Sequence, residues 1–195
     1  NEHFEMMSQR HKKKISVENL NKVNIRFDIS DVSNSDFIIE TVKEEFKAKV
    51  KLIESVNEFV DKHTHLFSNT SSLSVKKLSS YYKYPMNFLG MHFFNPAFQN
   101  KLVELIYIEE NQIQKLLPYK KLLENLGKKV VVSQDSPGFI VNRLLLVQIN
   151  EACEISKSVK LSCEEIDLAF KTATNNLLGP FQTADLIGND VILQM

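Results

Sequence analysis

A histidine and a glutamate stand in two consecutive apolar runs of this chain. His92 lies within Gly90-Met91-His92-Phe93-Phe94-Asn95-Pro96, and Glu104 within Lys101-Leu102-Val103-Glu104-Leu105-Ile106. An imidazole has an ordinary pKa of about 6.5, so at such a place it can exchange a proton near neutral pH. It can equally be a hydrogen-bonded core residue, the commoner fate of a lone histidine on an apolar face. Upstream, Asn69-Thr70-Ser71-Ser72 offers an amide and hydroxyls that can cap a helix or hold a ligand oxygen. Downstream, Asn142 places an amide inside an apolar stretch, where it must find partners. His63 and His65 flank Thr64 as a metal pair would, but no third ligand is near in sequence, so no metal site is expected. Phe93, Phe94 and Phe98 could form a stacking platform, although strand aromatics usually belong to the core.

The elements that must position these residues alternate. A short strand is expected over 23–27 from its alternation, and a buried parallel strand over 36–40 from a continuous β-rich run. From Glu44 the period changes: Phe46, Val50, Ile53, Val56 and Val60 recur every three or four residues, which predicts an amphipathic helix over 44–60 with Lys47, Lys51, Glu54 and Glu58 outside. Leu66-Phe67-Ser68 reads as the next strand, and a short helix runs through Leu78. Further strands are expected over 88–93, 102–108 and 130–132, with a helix over 110–126 in which Pro118 must lie near the first turn or make a kink. Such alternation implies a parallel sheet with covered faces, whose ligands sit beyond the carboxyl ends of the strands. At Asp135-Ser136-Pro137-Gly138 the composition shifts, and helices follow over 139–155, 163–172 and 181–193. The boundary between the α/β part and the helical part is placed near Ser133 to Ser136.

At 195 residues, 43% hydrophobic and 25% charged, the chain can bury one large or two small cores. Its zero formal net charge creates no global field toward nucleic acid or an anionic membrane. The run Arg10-His11-Lys12-Lys13-Lys14 is the local exception, read as a solvated face. Two cysteines, Cys153 and Cys163, without a metal-type pair fit a reduced intracellular chain. No apolar run approaches the roughly 20 residues that span a bilayer. A start at Asn1 in a charged, helix-prone segment of residues 2–14 suggests an interior piece of a longer protein. No glycine precedes Gly90, so the α/β part holds neither a G-x-G-x-x-G phosphate loop nor a P-loop.

Four stretches, Asp36-Phe-Ile-Ile-Glu40, Asn69-Thr-Ser-Ser72, Gly90-Met-His-Phe-Phe-Asn-Pro96 and Ser136-Pro-Gly-Phe-Ile-Val-Asn-Arg143, stand in an order and at separations that resemble the L-3-hydroxyacyl-CoA dehydrogenases, of the short-chain or 3-hydroxybutyryl-CoA type. Leu178-Gly-Pro-Phe181 and Asp185-Leu-Ile-Gly188 extend the resemblance through the helical part. It implies an α/β plus all-α architecture: a partial Rossmann-like, NAD-binding parallel-sheet domain over residues 1–134, with its first βαβ turn missing, and a truncated helical dimerisation and substrate domain over 135–195. The implied reaction is NAD-dependent oxidation of an L-3-hydroxyacyl-CoA to the 3-ketoacyl-CoA in fatty-acid β-oxidation. A full-length homodimer, an acyl-CoA substrate lying between the domains, and a place in the mitochondrial matrix or cytoplasm come with it.

By the same resemblance His92 matches the general base that takes the proton of the 3-hydroxyl, and Glu104 the carboxylate that orients it. Ser71 matches a serine that hydrogen-bonds the substrate oxygen, and Asn142 an asparagine reaching the same centre from the helical domain. Asn95 matches a cofactor-side asparagine. Glu44 and Lys49, on the surface of the helix over 44–60, match positions that contact the nicotinamide ribose side of NAD; ordinary solvation is the other role open to them. The Lys12 to Lys14 run could meet CoA phosphates only by unspecific charge. The absent glycine loop makes a second outcome coherent: a catalytically inactive truncated remnant that binds NAD weakly or not at all. Without the missing strand, the strand over 36–40 would present an open edge.

Overall fold

The computed structural model describes residues 22–193. The chain divides into two compact units, residues 1–31 and 32–195. In the first, residues 23–28 form neither helix nor strand, and Val23, Ile25 and Phe27 are exposed, which corrects the strand expected over 23–27. Alternation specifies a strand only when a partner strand and a surface to bury the apolar face are both at hand. The helix expected over 2–14 and the basic run over 10–14 lie outside the described residues.

The second unit is built on a five-stranded sheet: β1 (Phe37–Glu40), β2 (His65–Ser68), β3 (Phe88–Phe93), β4 (Leu102–Tyr107) and β5 (Lys129–Gln134), side by side in that order. β1, β2 and β3 run parallel, as do β4 and β5, while β3 and β4 are antiparallel, so the expected parallel sheet is parallel-dominated with one antiparallel pair. Residues 94–101 are too few for a parallel crossover, which takes a dozen or more, so the chain must turn back. Among the described residues β1 pairs with β2 alone.

Side-chain alternation sorts the strands into two faces. Phe67, Leu89, Met91, Val103 and Leu105 point to one, where helix α3 (Ile113–Asn125) closes the core with Leu116 and Leu123. Each such fully buried side chain stabilises by roughly 1.5–3 kcal/mol. Pro118 lies inside α3, after a 3₁₀ turn over Glu110–Gln112. The opposite face takes helix α1 (Phe46–Val56) and helix α2 (Val75–Ser79). α2 sits so close that a Cβ on Gly90 would lie 3.1 Å from Val75 and 2.8 Å from Ile106 Cβ, so only glycine fits there. α1 is shorter than expected and buries Lys49 with Ile53 and Val56, so Lys49 is not on the helix surface.

After β5 the chain is helical: α4 (Val141–Val159), α5 (Cys163–Thr174), α6 (Pro180–Ile187) and α7 (Asn189–Ile192). The single helix expected over 181–193 is two, because Gly188 breaks it at φ +96°. α4, α5 and α6 pack on one another, and buried Asp167 of α5 caps α6 by accepting from Phe181 N and Gln182 N at 2.9 Å each. That cap requires Gly179, since any Cβ there would overlap the Asp167 carboxylate.

Candidate active site

The antiparallel turn-back builds the pair that the sequence separates by twelve residues. His92 and Glu104 are directly opposite in the β3–β4 register, so their side chains meet on one face. His92 Nδ1 lies 2.7 Å from Glu104 Oε2, both side chains being buried. A carboxylate there accepts from Nδ1, which in the neutral ring leaves the lone pair on Nε2. Nε2 makes no hydrogen bond with any described residue. The ring lies between Phe94, with centroids 4.4 Å apart, and Phe139, at 5.7 Å. Phe94 thus packs on the histidine, whereas Phe93 joins the core and Phe98 is half-exposed.

Glu104 also fastens the helical part to the sheet. Its Oε1 accepts from Ile140 N at 3.2 Å and Val141 N at 3.0 Å, the unpaired N–H groups that open α4. A carboxylate there satisfies orphan donors and meets the positive end of the helix dipole. Just before, Phe139 is held at φ +47°, a left-handed backbone unusual for a bulky residue and typical of functional sites. Asn142 is buried, and its Nδ2 donates to Ser71 O at 2.8 Å, so the amide in the apolar helix finds its partner on the loop after β2. Asp135 adds a third tie, its Oδ2 accepting from Ser74 Oγ at 3.0 Å and Lys76 N at 2.8 Å.

The loop after β2 is held by carboxylates rather than free. Glu44 Oε1 accepts from Thr70 Oγ1 at 2.5 Å, Ser71 N at 2.8 Å and Ser72 N at 3.0 Å. Burial pushes the Glu44 carboxyl up, but the Thr70 hydroxyl, the Lys49 ammonium and the two N–H groups outweigh it and hold it below the usual carboxylate range. Lys49 Nζ is 3.2 Å from Glu44 Oε2, yet its hydrogen bonds go to Glu40 and Val42 O, so its donors are spent inside the protein. Asn69 Oδ1 accepts from Phe93 N at 2.8 Å and ties the loop to the end of β3.

The structure therefore gathers His92, Glu104, Ser71, Asn142 and Glu44 at one end of the sheet, the carboxyl ends of β1, β2 and β3. Asn95, exposed on the loop after β3, makes no hydrogen bond with a described residue. Lys49 lies beneath Glu44. Beside Ser71 opens a cavity of about 550 Å³ lined by Ser72, Lys76, Lys77, Asp135 and Pro137 among others. The roles of Glu40 and Asp135 escaped the sequence reading, whereas the Asn69 amide was read as a cap or a holder of a ligand oxygen and instead ties the loop to β3. A charged residue closing the apolar strand at Glu40 was the one available signal, since Asp135 has ordinary loop composition. His65 belongs elsewhere: its Nδ1 meets the Tyr119 hydroxyl at 3.0 Å on the apolar face, while His63 is exposed. Among the described residues no three His, Cys, Asp or Glu side chains gather as metal ligands, and no helix is long and apolar enough to cross a membrane.

The histidine–carboxylate pair thus lies at the carboxyl ends of a mostly parallel sheet, where open α/β folds bind their ligands. Residues 2–136 match the family model for the NAD binding domain of 3-hydroxyacyl-CoA dehydrogenase, and residues 138–195 match the model for its C-terminal domain. The chain belongs to the 3-hydroxyacyl-CoA dehydrogenase family. It is 38% identical over 184 residues to the 3-hydroxybutyryl-CoA dehydrogenase of Clostridioides difficile, covering 93% of this chain and 64% of that protein. It is 36% identical over 164 residues to the mitochondrial hydroxyacyl-coenzyme A dehydrogenase of Sus scrofa, covering 83% of this chain and 51% of the relative. The solved (S)-3-hydroxybutyryl-CoA dehydrogenase of Ralstonia eutropha superposes with a TM-score of 0.91 at 32% identity, covering 98% of this chain and 69% of the other. The chain thus spans between half and two thirds of the length of these curated relatives.

NAD is the dinucleotide of the matched N-terminal domain. Glu44 keeps a third of its side chain exposed next to Ser71, and Asn95 is exposed beyond β3, so both are open to a ligand at this end of the sheet. For the pyrophosphate the described α/β residues offer no glycine loop, Gly90 being the first glycine and packed inside the sheet.

Proposed function

We propose that the protein carrying this chain oxidises L-3-hydroxyacyl-CoA to 3-ketoacyl-CoA with NAD in fatty-acid β-oxidation, and that His92 is the general base. The observation that carries the reading is the His92–Glu104 contact of 2.7 Å, which leaves Nε2 able to accept a proton. Bound NAD supplies the hydride acceptor. His92 Nε2 takes the proton of the 3-hydroxyl as the C3 hydrogen departs with its electron pair, and Glu104 stabilises the imidazolium so formed. Ser71 and Asn142, tied to each other across the cleft, hold the substrate oxygen beside C3. Glu44 and Asn95 face the cofactor, and Lys49 serves the same side as the charge behind Glu44. The cavity beside Ser71 takes part of the acyl-CoA.

Residues 1–134 as the dinucleotide domain and 135–195 as the helical domain follow from the same proposal, supported by the two matched ranges meeting at 136–138. So do a homodimer of the full-length protein and an intracellular place, the mitochondrial matrix or the cytoplasm. A mitochondrial relative supports the location.

A second reading, the catalytically inactive remnant, applies to residues 1–195 by themselves, whose α/β part holds no glycine loop. The two separate on whether NADH is oxidised by acetoacetyl-CoA in the presence of the protein, with NADH binding followed by its fluorescence. Turnover with micromolar NADH binding is the expected result for the enzyme. A folded protein that neither binds NADH nor turns over establishes the remnant.

A further inference from the structure

Glu40 touches neither the proposed substrate centre nor the exposed rim of the site, and it is 1% exposed. A carboxylate so deeply buried at the end of a strand is costly unless every oxygen is paired. Here each one is. Oε1 accepts from Val42 N at 2.7 Å and Lys49 Nζ at 2.8 Å; Oε2 accepts from Ser68 Oγ at 2.6 Å and from the same Nζ at 3.1 Å. Lys49 Nζ also donates to Val42 O at 3.2 Å, which uses its three protons.

The charges do not cancel inside this cluster. Lys49 sits between Glu40 and Glu44, at 2.8 and 3.2 Å, so one positive charge faces two negative ones. Glu40 holds the ammonium through hydrogen bonds and leaves Glu44 only the ion pair at 3.2 Å. Glu44 turns its charge onto Thr70 Oγ1, Ser71 N and Ser72 N. A second route leads to the same loop: Ser68 Oγ, fixed by Glu40, accepts from Thr70 N at 3.3 Å, and Asn69 N donates to Glu40 O at 2.9 Å. With Glu40 neutral, Lys49 is freed to pair fully with Glu44 and to draw it off the loop N–H groups.

We propose that Glu40 is a positioning residue of the candidate active site, holding Lys49 so that Glu44 stays clamped on the Ser71 loop and the Ser71 hydroxyl keeps its place. The proposal rests on the reading of Ser71 as the residue that meets the substrate oxygen. It assigns Lys49 a role without ligand contact, acting through Glu44, and makes Glu44 the link between a buried charge and the reacting centre. A displacement of about 1 Å at such a centre can lower a rate about 10²-fold, so the cluster needs to move the loop only slightly to matter.

Hydrogen exchange of the amides of residues 69–74 tests the clamp without any turnover. In Glu40→Gln these amides are expected to exchange roughly tenfold faster while the α3 core keeps its protection. Because a lone buried Lys49 can prevent folding, Glu40→Gln/Lys49→Met, which removes both charges, is measured beside it; its loop is expected to loosen too, because Ser68 loses its charged acceptor and Glu44 the ammonium beside it. Unchanged loop exchange in a folded variant overturns the proposal. A double-mutant cycle adds the catalytic arm: Glu40→Gln lowers kcat about 10- to 100-fold with KM nearly constant, and that loss disappears in a Ser71→Ala background. A loss that simply adds to that of Ser71→Ala shows a general structural role and overturns it too. If the unaltered protein has no turnover, the functional reading fails, and the exchange result decides the clamp by itself.

Discussion

His92 and His65 lie on neighbouring strands of one sheet but on opposite faces, and their surroundings differ in kind. His92 has a carboxylate on Nδ1 and an Nε2 with no described partner, on a face whose other residues include Glu40, Ser68 and Glu104, each hydrogen-bonded. His65 has the Tyr119 hydroxyl on Nδ1 and a buried Nε2 without a partner, on the face that packs Phe37, Phe67 and Tyr119. Burial, and then the Lys115 charge, pushes the His65 pKa below its ordinary value. One imidazole is thus placed where a positive charge can be stabilised, and the other where it is resisted. The partner and not the burial separates a candidate base from a core histidine.

Glu104→Gln should break the contrast most. It removes the charge behind His92 and lets the amide select the wrong tautomer, so kcat should fall about 10²- to 10⁴-fold in steady-state kinetics. The same variant loosens the start of α4, because Ile140 N and Val141 N lose their charged acceptor. Next comes Gly90→Ala, whose Cβ presses on Ile106 and Val75 on the polar face; denaturant melts should show a loss of about 1–3 kcal/mol.

Two pH experiments sharpen the comparison at smaller amplitude. Glu44 has a folded pKa below its unfolded value, so its contribution is complete above the usual carboxylate range and is lost as pH falls through the lowered folded value. Glu44→Gln should therefore lose stability at neutral pH and show a flatter acid limb in urea melts at successive pH values. His65 also has a lowered folded pKa, but its neutral form is the favoured one. The unfolded chain then binds the extra proton, so stability falls as pH drops below about 6.5. His65→Phe should remove that slope with little change above pH 7, whereas an unchanged slope would place the titration elsewhere.

Most of the sheet was legible because its strands are continuous apolar runs and α1 has a clear helical period. What escaped was set by distance along the chain. The antiparallel return of β4 depends on the shortness of residues 94–101, and without it no argument from spacing alone puts Glu104 opposite His92. Lys49 looked like a solvated helix residue because its partner, Glu40, belongs to the preceding strand. The strand expected over 23–27 failed for the opposite reason: a local pattern without a partner has no ladder to join. Of the candidate site, His92 and Asn142 could be singled out from types and placement and Ser71 only from the resemblance, but their mutual contacts are tertiary facts. Asn142 in particular showed only that an amide needed a partner, and Ser71 O supplies it.

The central claim is that His92 takes the substrate proton. Its most direct test is His92→Gln in the reduction of acetoacetyl-CoA by NADH, with NADH affinity measured in parallel by fluorescence. The account predicts a fall in kcat of at least about 10²-fold with NADH affinity retained, because the side chain that exchanges the proton is gone while the cofactor side is untouched. A near-wild-type rate would contradict it.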